Sequence, residues 1–303
     1  MNKSHSFKRI ISFILAILIV AAFIPSAEVN AASKKGWVTK KGYKYYYNEE
    51  GKLQTGFVEI KGSTYYFAPS KMTAKVDGKK VTIAPKGAML KGWYKIKKKY
   101  YYFNRSNGKM AVNKTVDSIK VDKKGVAKKS SFYGKKWKKK IDTMILARER
   151  MQSLTKPTDK SGKKLRKCYE YIKGLPYIGY HFLKNERDDK TWDLLFAADA
   201  LDVDAHKTHI LAGECTAYAS ALAYLALECG YETVYIVDDD RTLKGDNHSW
   251  VEIKGKIYDP LFARTSGKGG DDANFAGKYS DTDFGHVKIN TKNVSTGKEK
   301  HSN

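Results

Sequence analysis

Cysteines and long apolar segments are scarce in this chain of 303 residues, and acidic residues are scarce in its N-terminal half. Beyond residue 31 no segment has the roughly 20 apolar residues that a membrane-spanning helix needs. The three cysteines, Cys168, Cys215 and Cys229, are too few for a disulfide framework and odd in number, so at least one thiol is left over. In an exported protein such a thiol is either buried and inert or kept because it reacts.

The first 31 residues have the composition of a secretory signal peptide. Lys3, Lys8 and Arg9 precede an apolar run over residues 10–24, and Val29-Asn30-Ala31 places small residues where a signal peptidase reads. We therefore expect cleavage after Ala31 and a secreted protein. An uncleaved N-terminal anchor is the alternative, although the apolar run is short for one.

Positive charge is concentrated in one half of the chain. Residues 34–140 contain 30 Lys or Arg and 6 Asp or Glu, whereas residues 141–303 contain 24 and 25. Because the leader predicts export, the polyanion that this surface would meet is a cell-wall polymer or an anionic lipid headgroup, not a nucleic acid. A lysine coat that only keeps the repeats soluble is the alternative.

The basic half contains internal repeats. A glycine followed by an aromatic residue recurs 20 and then 36 residues further on, at Gly36-Trp37, Gly56-Phe57 and Gly92-Trp93. Aromatic triplets follow at the same offsets, over residues 45–47, 65–67 and 101–103, and weaker copies lie at 76–89 and 118–127. Each copy predicts a short β-hairpin, with its turn at Asn48-Glu49-Glu50-Gly51 or the equivalent 105–108. One hairpin cannot bury its own aromatic face, so the repetition predicts a quasi-linear β array.

These copies resemble the glucan-binding and choline-binding type of cell-wall-binding repeats. The Gly-Trp start, the aromatic triplet and the Gly108-Lys109-Met110 turn carry the resemblance. It implies that residues 36–128 bind a bacterial cell-wall polymer, and that the protein is wall-associated. In that family aromatic side chains cage choline. Because Phe57 stands where a Trp is usual, and Thr64 and Tyr100 precede triplets where another Trp is frequent, a carbohydrate or an anionic polymer is the better prediction here.

The second half is predicted to be a separate domain. A repeat domain at residues 32–128 is followed by a lysine-rich segment, residues 129–140, which predicts a solvated basic linker. The domain at residues 141–303 then begins with two amphipathic helical segments. Cys168 lies in the second of these segments and is interpreted as a core residue.

Cys215 differs from the other two cysteines in its position on a helix. It precedes an Ala- and Leu-rich run that predicts a helix ending at Gly230, so Cys215 lies at the N-terminus and Cys229 at the C-terminus. Backbone N–H groups and the positive end of the helix dipole favour a thiolate at the first position. We therefore predict a reactive Cys215 and interpret Cys229 as a packing residue.

A β-hairpin is predicted downstream, and it supplies the groups that a nucleophilic cysteine needs. Residues 248–253 and 257–259 are strand-like and are joined by Lys254-Gly255-Lys256. This places His248 and Asp259 on adjacent strands near the same end, where the carboxylate can hold the imidazole in one tautomer. A thiolate, a base and an orienting acid are the parts of a covalent acyl-transfer centre.

In this order, Gly-x-Cys on a helix, His-x-Trp-Val on a strand and Tyr-Asp-Pro after a turn resemble the transglutaminase-like superfamily over roughly residues 141–290. The resemblance implies an α+β fold with a papain-like core, in which the helix carrying the nucleophile packs on an antiparallel sheet. It makes Cys215 the nucleophile, His248 the base and acid, and Asp259 the orienting group.

The rest of the site is less well defined by the sequence. The Cys215 N–H is expected to be one oxyanion donor, and Tyr180, His181 and Trp192 are candidates for its neighbourhood. There is no EF-hand loop and no zinc-ligand spacing, so neither a metal nor a cofactor is predicted.

The leading hypothesis is a secreted cysteine acyltransferase or protease that acts through a thioester on protein or peptide amides. Two alternatives stay open: another cysteine hydrolase of cell-wall peptides, and a non-catalytic wall-bound adhesin or scaffold. The acyl donor, the acceptor and the oligomeric state are left open by the sequence.

Overall fold

The protein is described by a computed structural model that covers residues 34–239, 247–265, 268–281 and 285–301. The predicted signal peptide, residues 1–31, lies outside the described residues. Within them, no helix combines the length and the hydropathy needed to cross a bilayer. The architecture is α+β, with antiparallel hairpins in the N-terminal half and helices packed on a mixed-length antiparallel sheet in the C-terminal half.

The N-terminal half folds into successive hairpins, as the repeats predict. Its strands are β1 Gly36–Lys40, β2 Tyr43–Tyr47, β3 Gly56–Ile60, β4 Ser63–Phe67, β5 Met72–Val76, β6 Lys79–Ala84, β7 Gly92–Ile96, β8 Lys99–Phe103, β9 Lys114–Val116, β10 Ile119–Val121 and β11 Ala127–Ser130. The first eight strands pair two by two, and the last three form one small sheet. The weak copies at 76–89 and 118–127 therefore also contribute strands.

The hairpin turns lie earlier in the chain than predicted: each falls between the Gly-aromatic start and the aromatic triplet, and not after the triplet. Trp37 pairs with Tyr46 across β1 and β2, so the Gly-aromatic start and the aromatic triplet belong to the same hairpin. Lys41 and Gly42 join these strands with φ values of 51° and 79°, which a two-residue type I′ turn requires. The predicted turn at residues 48–51 connects hairpins instead. Because lysine is uncommon in type I′ turns, this turn could not be recognised from the sequence.

The C-terminal half has seven described helices and a six-stranded sheet. The helices are α1 Trp137–Leu154, α2 Ser161–Lys173, α3 Leu183–Glu186, α4 Trp192–Leu201, α5 Cys215–Glu228, α6 Pro260–Arg264 and α7 Gly270–Asn274. The strands are β12 Tyr235–Asp238, β13 Ser249–Ile253, β14 Lys256–Tyr258, β15 Phe275–Gly277, β16 Asn290–Asn293 and β17 Glu299–His301. Their order in the sheet is β15-β14-β13-β12-β16-β17.

Helix α5 is the centre of the molecule. All but its last residue are buried, because α1, α2 and α4 surround it and β13 covers its remaining side. An Ala-rich sequence permits this close approach of neighbouring helices and costs little side-chain entropy. One apolar cluster continues from α5 through α1 to Trp93 and Tyr102 of the last aromatic repeat.

The predicted linker at residues 129–140 is exposed over most of its length but is attached to the core at two points. Tyr133 is buried, α1 begins at Trp137, and Lys140 is fully buried. The Lys140 Nζ donates to the hydroxyls of Tyr133 and Tyr224 at 2.9 and 2.7 Å, and lies 4.0 Å from Asp193. The prediction treated Lys140 as part of an exposed lysine run. A carboxylate and two hydroxyls inside the core surround its ammonium group and allow this lysine to be buried.

Candidate functional site

Cys215 is the first residue of α5, as predicted, and its neighbour Glu214 caps the helix. The Glu214 carboxylate accepts the backbone N–H of Thr216 at 3.0 Å and that of Ala217 at 3.3 Å. The Cys215 thiol, which is 6% exposed, donates to the same carboxylate, with Sγ 2.9 Å from Oε2. The helix N-terminus thus already holds an anion beside the cysteine.

This arrangement corrects the prediction of a thiolate in the resting protein. Burial raises the pKa of Cys215 well above its usual value, and the charge of Glu214 and its hydrogen bond raise it further. The N–H groups that were expected to stabilise the thiolate are instead occupied by the Glu214 side chain. The pKa of Glu214 is itself raised, chiefly by burial. In the resting state Cys215 is therefore a thiol.

His248 and Asp259 flank the predicted hairpin of β13 and β14. Val251 pairs with Tyr258 and Ile253 with Lys256, so the residues just before β13 and just after β14 meet at one end. His248 Nε2 lies 2.5 Å from Asp259 Oδ2. The His248 ring also stacks on Phe262, with centroids 3.7 Å apart and planes 6° apart.

Asp259 is held in place from its other side as well. It is fully buried and caps α6, with Oδ1 accepting the N–H groups of Leu261 and Phe262 at 3.0 Å each. Burial alone would raise the pKa of Asp259, but the charge of His248 and the hydrogen bonds from histidine hold it below its usual value. Asp259 is therefore an anion with one oxygen left for imidazole.

The strand start that carries His248 passes directly over the thiol. Cys215 Sγ is 3.6 Å from the carbonyl oxygen of Asn247, and the backbone N–H of Ser249 also faces it. The hydroxyl groups of Thr216 and Ser249 form a hydrogen bond of 3.0 Å, which fixes the start of α5 to the start of β13. The described contacts include no hydrogen bond between Cys215 and His248. Because Asp259 occupies Nε2, Nδ1 is the ring nitrogen left for the thiol.

A second histidine on Asp259 was missed by the sequence. His286 Nε2 lies 2.8 Å from Asp259 Oδ2, the same oxygen that His248 contacts. The His286 side chain is fully buried, and its Nδ1 has no hydrogen-bond partner among the residues that the structure describes. His286 is 27 residues beyond Asp259 in an irregular segment before β16, and no spacing pattern indicates such an approach.

The neighbourhood of Cys215 also differs from the predicted one. Tyr177 pairs with Gly213 immediately before the α5 cap; burial raises the pKa of the Tyr177 hydroxyl, and the nearby Glu214 carboxylate raises it further. Tyr177 is 57% exposed, so it lies on the solvent-facing side of the thiol. Trp192 instead donates its Nε1 to Glu299 of β17, at the far edge of the sheet.

The other two predicted neighbours, Tyr180 and His181, belong to a different cluster. Tyr180 stacks on His206 with centroids 3.6 Å apart, and His181 bonds to Asp199 of α4. Several apolar side chains near Tyr180 and His181 are exposed, namely Tyr177, Ile178, Phe182 and Ile210.

The remaining cysteines lie away from the site. Cys168 and Cys229 are both buried, as predicted, and their sulfur atoms face each other at 3.9 Å. This leaves Cys215 as the cysteine without a cysteine neighbour, next to the Glu214 carboxylate and to the backbone that flanks His248.

The hairpins present aromatic clusters at their junctions. Trp37 of the first hairpin meets Tyr46 at 5.2 Å and Tyr65 of the second hairpin at 5.1 Å between ring centroids. One repeat later, Phe57 meets its own Tyr66 at 4.7 Å and Tyr101 of a following hairpin at 5.1 Å. These two clusters, called the Trp37 cluster and the Phe57 cluster, are equivalent. Trp37 and Phe57 are 42% and 45% exposed.

The equivalent third position is closed. Trp93 is fully buried against Tyr102, and its Nε1 donates to Asp117 at 2.8 Å. Arg105 lies beside them and pairs with Asp117 at 3.1 Å and with Glu228, the last residue of α5, at 2.8 Å. The C-terminal half therefore covers the position where a third open cluster would lie.

Comparisons with known proteins match the N-terminal half. Residues 73–114 match a family model described as a choline-binding repeat, and residues 55–70 match a putative cell wall binding repeat. The hairpins within residues 55–114 are therefore similar to choline-binding and cell wall binding repeats. Both matched segments lie before residue 115, and no curated protein matches the chain.

Similar solved structures come from Streptococcus pneumoniae. The choline binding domain of Spr1274 is 29% identical, and the match covers 32% of this chain and 99% of that domain, with a TM-score of 0.25. CbpJ is 25% identical over 31% of this chain and 34% of its own, with a TM-score of 0.15. Choline binding protein F is 26% identical over 32% of this chain and 41% of its own, with a TM-score of 0.12. The match thus spans well under half of CbpJ and choline binding protein F.

Proposed function

We propose that this chain is a wall-attached cysteine acyltransferase, with a papain-like transglutaminase core after its binding repeats. The observation that carries the catalytic part is the hydrogen bond of 2.5 Å between His248 Nε2 and Asp259, next to a cysteine at a helix start. A buried carboxylate on Nε2 fixes the tautomer in which Nδ1 is unprotonated and can accept a proton. Cys215 packs against the two residues that flank this histidine.

The reaction begins when Cys215 attacks the carbonyl carbon of a glutamine side chain or a peptide amide. The thiol proton passes to His248 Nδ1, the C–S bond forms, and the resulting imidazolium is stabilised by Asp259. His248 then gives this proton to the departing nitrogen, so ammonia or an amine leaves and a thioester remains. A lysine amine or water then attacks the thioester carbonyl while His248 Nδ1 takes a proton from it; the C–S bond breaks, and His248 passes this proton to the sulfur, which leaves as the thiol.

Glu214 gives this centre a protonated resting state. Its carboxylate holds the thiol and raises its pKa, so Cys215 is protected from oxidation until a substrate displaces that contact. The backbone N–H of Cys215 would donate to the oxyanion, with Tyr177 as a neighbour. Exposed apolar side chains along residues 177–182 offer a surface for the substrate chain.

The test of catalysis is incorporation of a fluorescent primary amine into a glutamine-containing protein, with ammonia release measured in parallel. We expect the chain of residues 32–303 to show both signals and Cys215→Ala to lose both completely. Cys229→Ala, which changes a buried thiol outside the site, is the matched control and should retain them. Equal signals from wild type and Cys215→Ala would remove Cys215 from the reaction.

A non-catalytic scaffold is the second candidate, and one observation favours it. Cys215 is 6% exposed and its pKa is raised, which is also how an inert core thiol behaves. Absence of amine incorporation, together with unimpaired wall binding, would support this candidate. Release of soluble fragments from purified peptidoglycan, lost in Cys215→Ala, would instead identify a hydrolase of wall peptides.

We further propose that the repeats bind a wall polymer that carries both phosphate and quaternary ammonium groups. The Trp37 and Phe57 clusters each bring three aromatic rings together at a hairpin junction, and a choline headgroup binds such faces by cation–π attraction. Phosphate is attracted by the excess of 24 positive charges over residues 34–140. The aromatic geometry thus favours choline more than the sequence does.

For wall binding we expect the double variant Trp37→Ala, Phe57→Ala to bind phosphocholine-bearing walls at least about 10-fold more weakly, since each cation–π contact contributes about 1–2 kcal/mol. Free choline should displace the wild type, and ethanolamine should displace it poorly. Lys86→Ala, which removes one exposed positive charge, is the matched control. Displacement by salt alone, with the double variant binding normally, would show that lysine charge is sufficient.

A further inference from the structure

A cluster of metal-ligating side chains lies outside the site of Cys215. His181 Nδ1 is 3.0 and 3.1 Å from the two carboxylate oxygens of Asp199, and His206 Nε2 is 2.8 Å from Oδ1. One ligand atom from each of the three residues lies within 4.8 Å of the other two. The residues come from three separate segments: the stretch before α3, the last turn of α4, and the connection from α4 to α5.

The carboxyl group of Asp199 pairs with no lysine or arginine among the described residues. Its side chain is 1% exposed, and the ion-pair partners given by the structure are the two histidines. The other buried carboxylates have a lysine, an arginine or a helix N-terminus as partner: Asp193, Asp238, Glu252, Glu214 and Asp259. Asp199 instead lies near the C-terminus of α4, where the helix dipole disfavours an anion.

We propose that His181, Asp199 and His206 bind a divalent transition-metal ion of the zinc type. Two imidazole nitrogens and one carboxylate oxygen form a ligand set that zinc prefers, whereas calcium and magnesium prefer oxygen ligands. With ligand bonds of about 2.0–2.2 Å, neighbouring ligand atoms in a tetrahedral site are about 3.3 Å apart. The two nitrogen–oxygen separations at Asp199 Oδ1, 3.1 and 2.8 Å, are within about half an ångström of this value.

The cluster also has room for the remaining ligands. The side chains of His181 and His206 are 21% and 18% exposed, so water can complete the coordination. The ring of His206 is held in its plane by stacking on Tyr180. The ligand atoms of His248, Asp259 and His286 also lie within 4.8 Å of one another, but His286 is fully buried and Asp259 Oδ1 is occupied by two N–H groups. The ion is therefore assigned to the Asp199 cluster alone.

A bound ion would fasten the connection between α4 and α5. The backbone N–H of Ala212 donates to the Asp199 carbonyl at 3.0 Å, and a side chain at Gly213 would contact Asp199. The ion would thus hold the segment that ends at the cap of Cys215. This inference does not depend on acyl transfer, because it concerns binding and stability only. The ligands are 18 and 7 residues apart on separate segments, so no zinc-spacing motif appears in the sequence.

The test is titration of the metal-free chain of residues 32–303 with zinc chloride by isothermal calorimetry. We expect one equivalent to bind, with affinity more than about 100-fold weaker in Asp199→Asn and in His206→Ala, because each removes a direct ligand. Asp204→Asn is the matched control: it changes an aspartate of the same connection that is 80% exposed, and it should bind zinc normally.

Stability supplies the second measurement. Asp199→Asn keeps the shape of the side chain and one acceptor oxygen, and circular dichroism at 20 °C establishes that the variant is folded. Zinc should raise the melting temperature of wild type and Asp204→Asn and leave that of Asp199→Asn unchanged. Equal zinc affinity in all four proteins, or no binding by the wild type, overturns the proposal.

Discussion

Asp259→Asn should lower the rate of amine incorporation by about 10³–10⁴-fold while leaving the protein folded. The asparagine can still accept the two N–H groups of α6 through Oδ1. Its amide, however, turns a donor toward His248 Nε2, where the carboxylate accepted. His248 then carries its proton on Nδ1 and cannot take one from Cys215. The loss should appear in kcat, with KM little changed, because Asp259 positions the base and touches no substrate.

Asp271→Asn is the matched control for this experiment. Asp271 pairs with Arg166 and Lys173 on the surface of α2, away from the thiol, so its loss should leave kcat within a factor of two. Melting temperatures of both variants separate a lost tautomer from a lost fold. A rate for Asp259→Asn within tenfold of wild type would contradict the role assigned to His248.

Arg105→Met should destabilise the protein by about 3–5 kcal/mol, because it leaves two buried carboxylates without their cation. The side chains of Glu228 and Asp117 are 3% and 6% exposed, and both pair with this guanidinium. Tyr102 gives it a third contact through its hydroxyl and ring. Chemical denaturation followed by tryptophan fluorescence measures the change in the free energy of unfolding.

A triple variant identifies the cause of that loss. Combining Arg105→Met with Asp117→Asn and Glu228→Gln removes all three charges, so most of the stability should return. Lys109→Met, an exposed lysine four residues away, is the matched control and should change stability by less than about 0.5 kcal/mol. If the triple variant is no more stable than Arg105→Met, packing and not charge is responsible.

The parts of the site that sequence could indicate are those that lie close together in the chain. The β13–β14 hairpin brings His248 and Asp259 together because only ten residues separate them, and alternating apolar residues with a Lys-Gly turn define that hairpin. The position of Cys215 at a helix start follows from the Ala- and Leu-rich run after it. The repeats were visible for the same reason, since each hairpin is a local unit.

Features that depend on distant or side-chain contacts were beyond sequence reasoning. Glu214 was visible as a residue, but its carboxylate could have faced solvent; only the fold shows it between the thiol and the helix N–H groups. His286 and His181 reach their partners across loops without periodic patterns. Lys140 was counted with an exposed basic run, although its neighbours along the chain differ from it in burial.

The contact between Arg105 and Glu228 also fixes the distance between the repeats and Cys215. Helix α5 has Cys215 at one end and Glu228 at the other, and its 14 residues make a rod about 20 Å long. Because the repeats contact one end of helix α5, the distance between the repeat surface and the thiol is fixed. A flexibly tethered enzyme samples every site within the length of its linker, whereas a rigid one samples a single height. With Cys215 as the proposed nucleophile, amides at that height above a bound polymer would meet the thiol at high local concentration, and amides elsewhere would be reached only when the whole molecule moves.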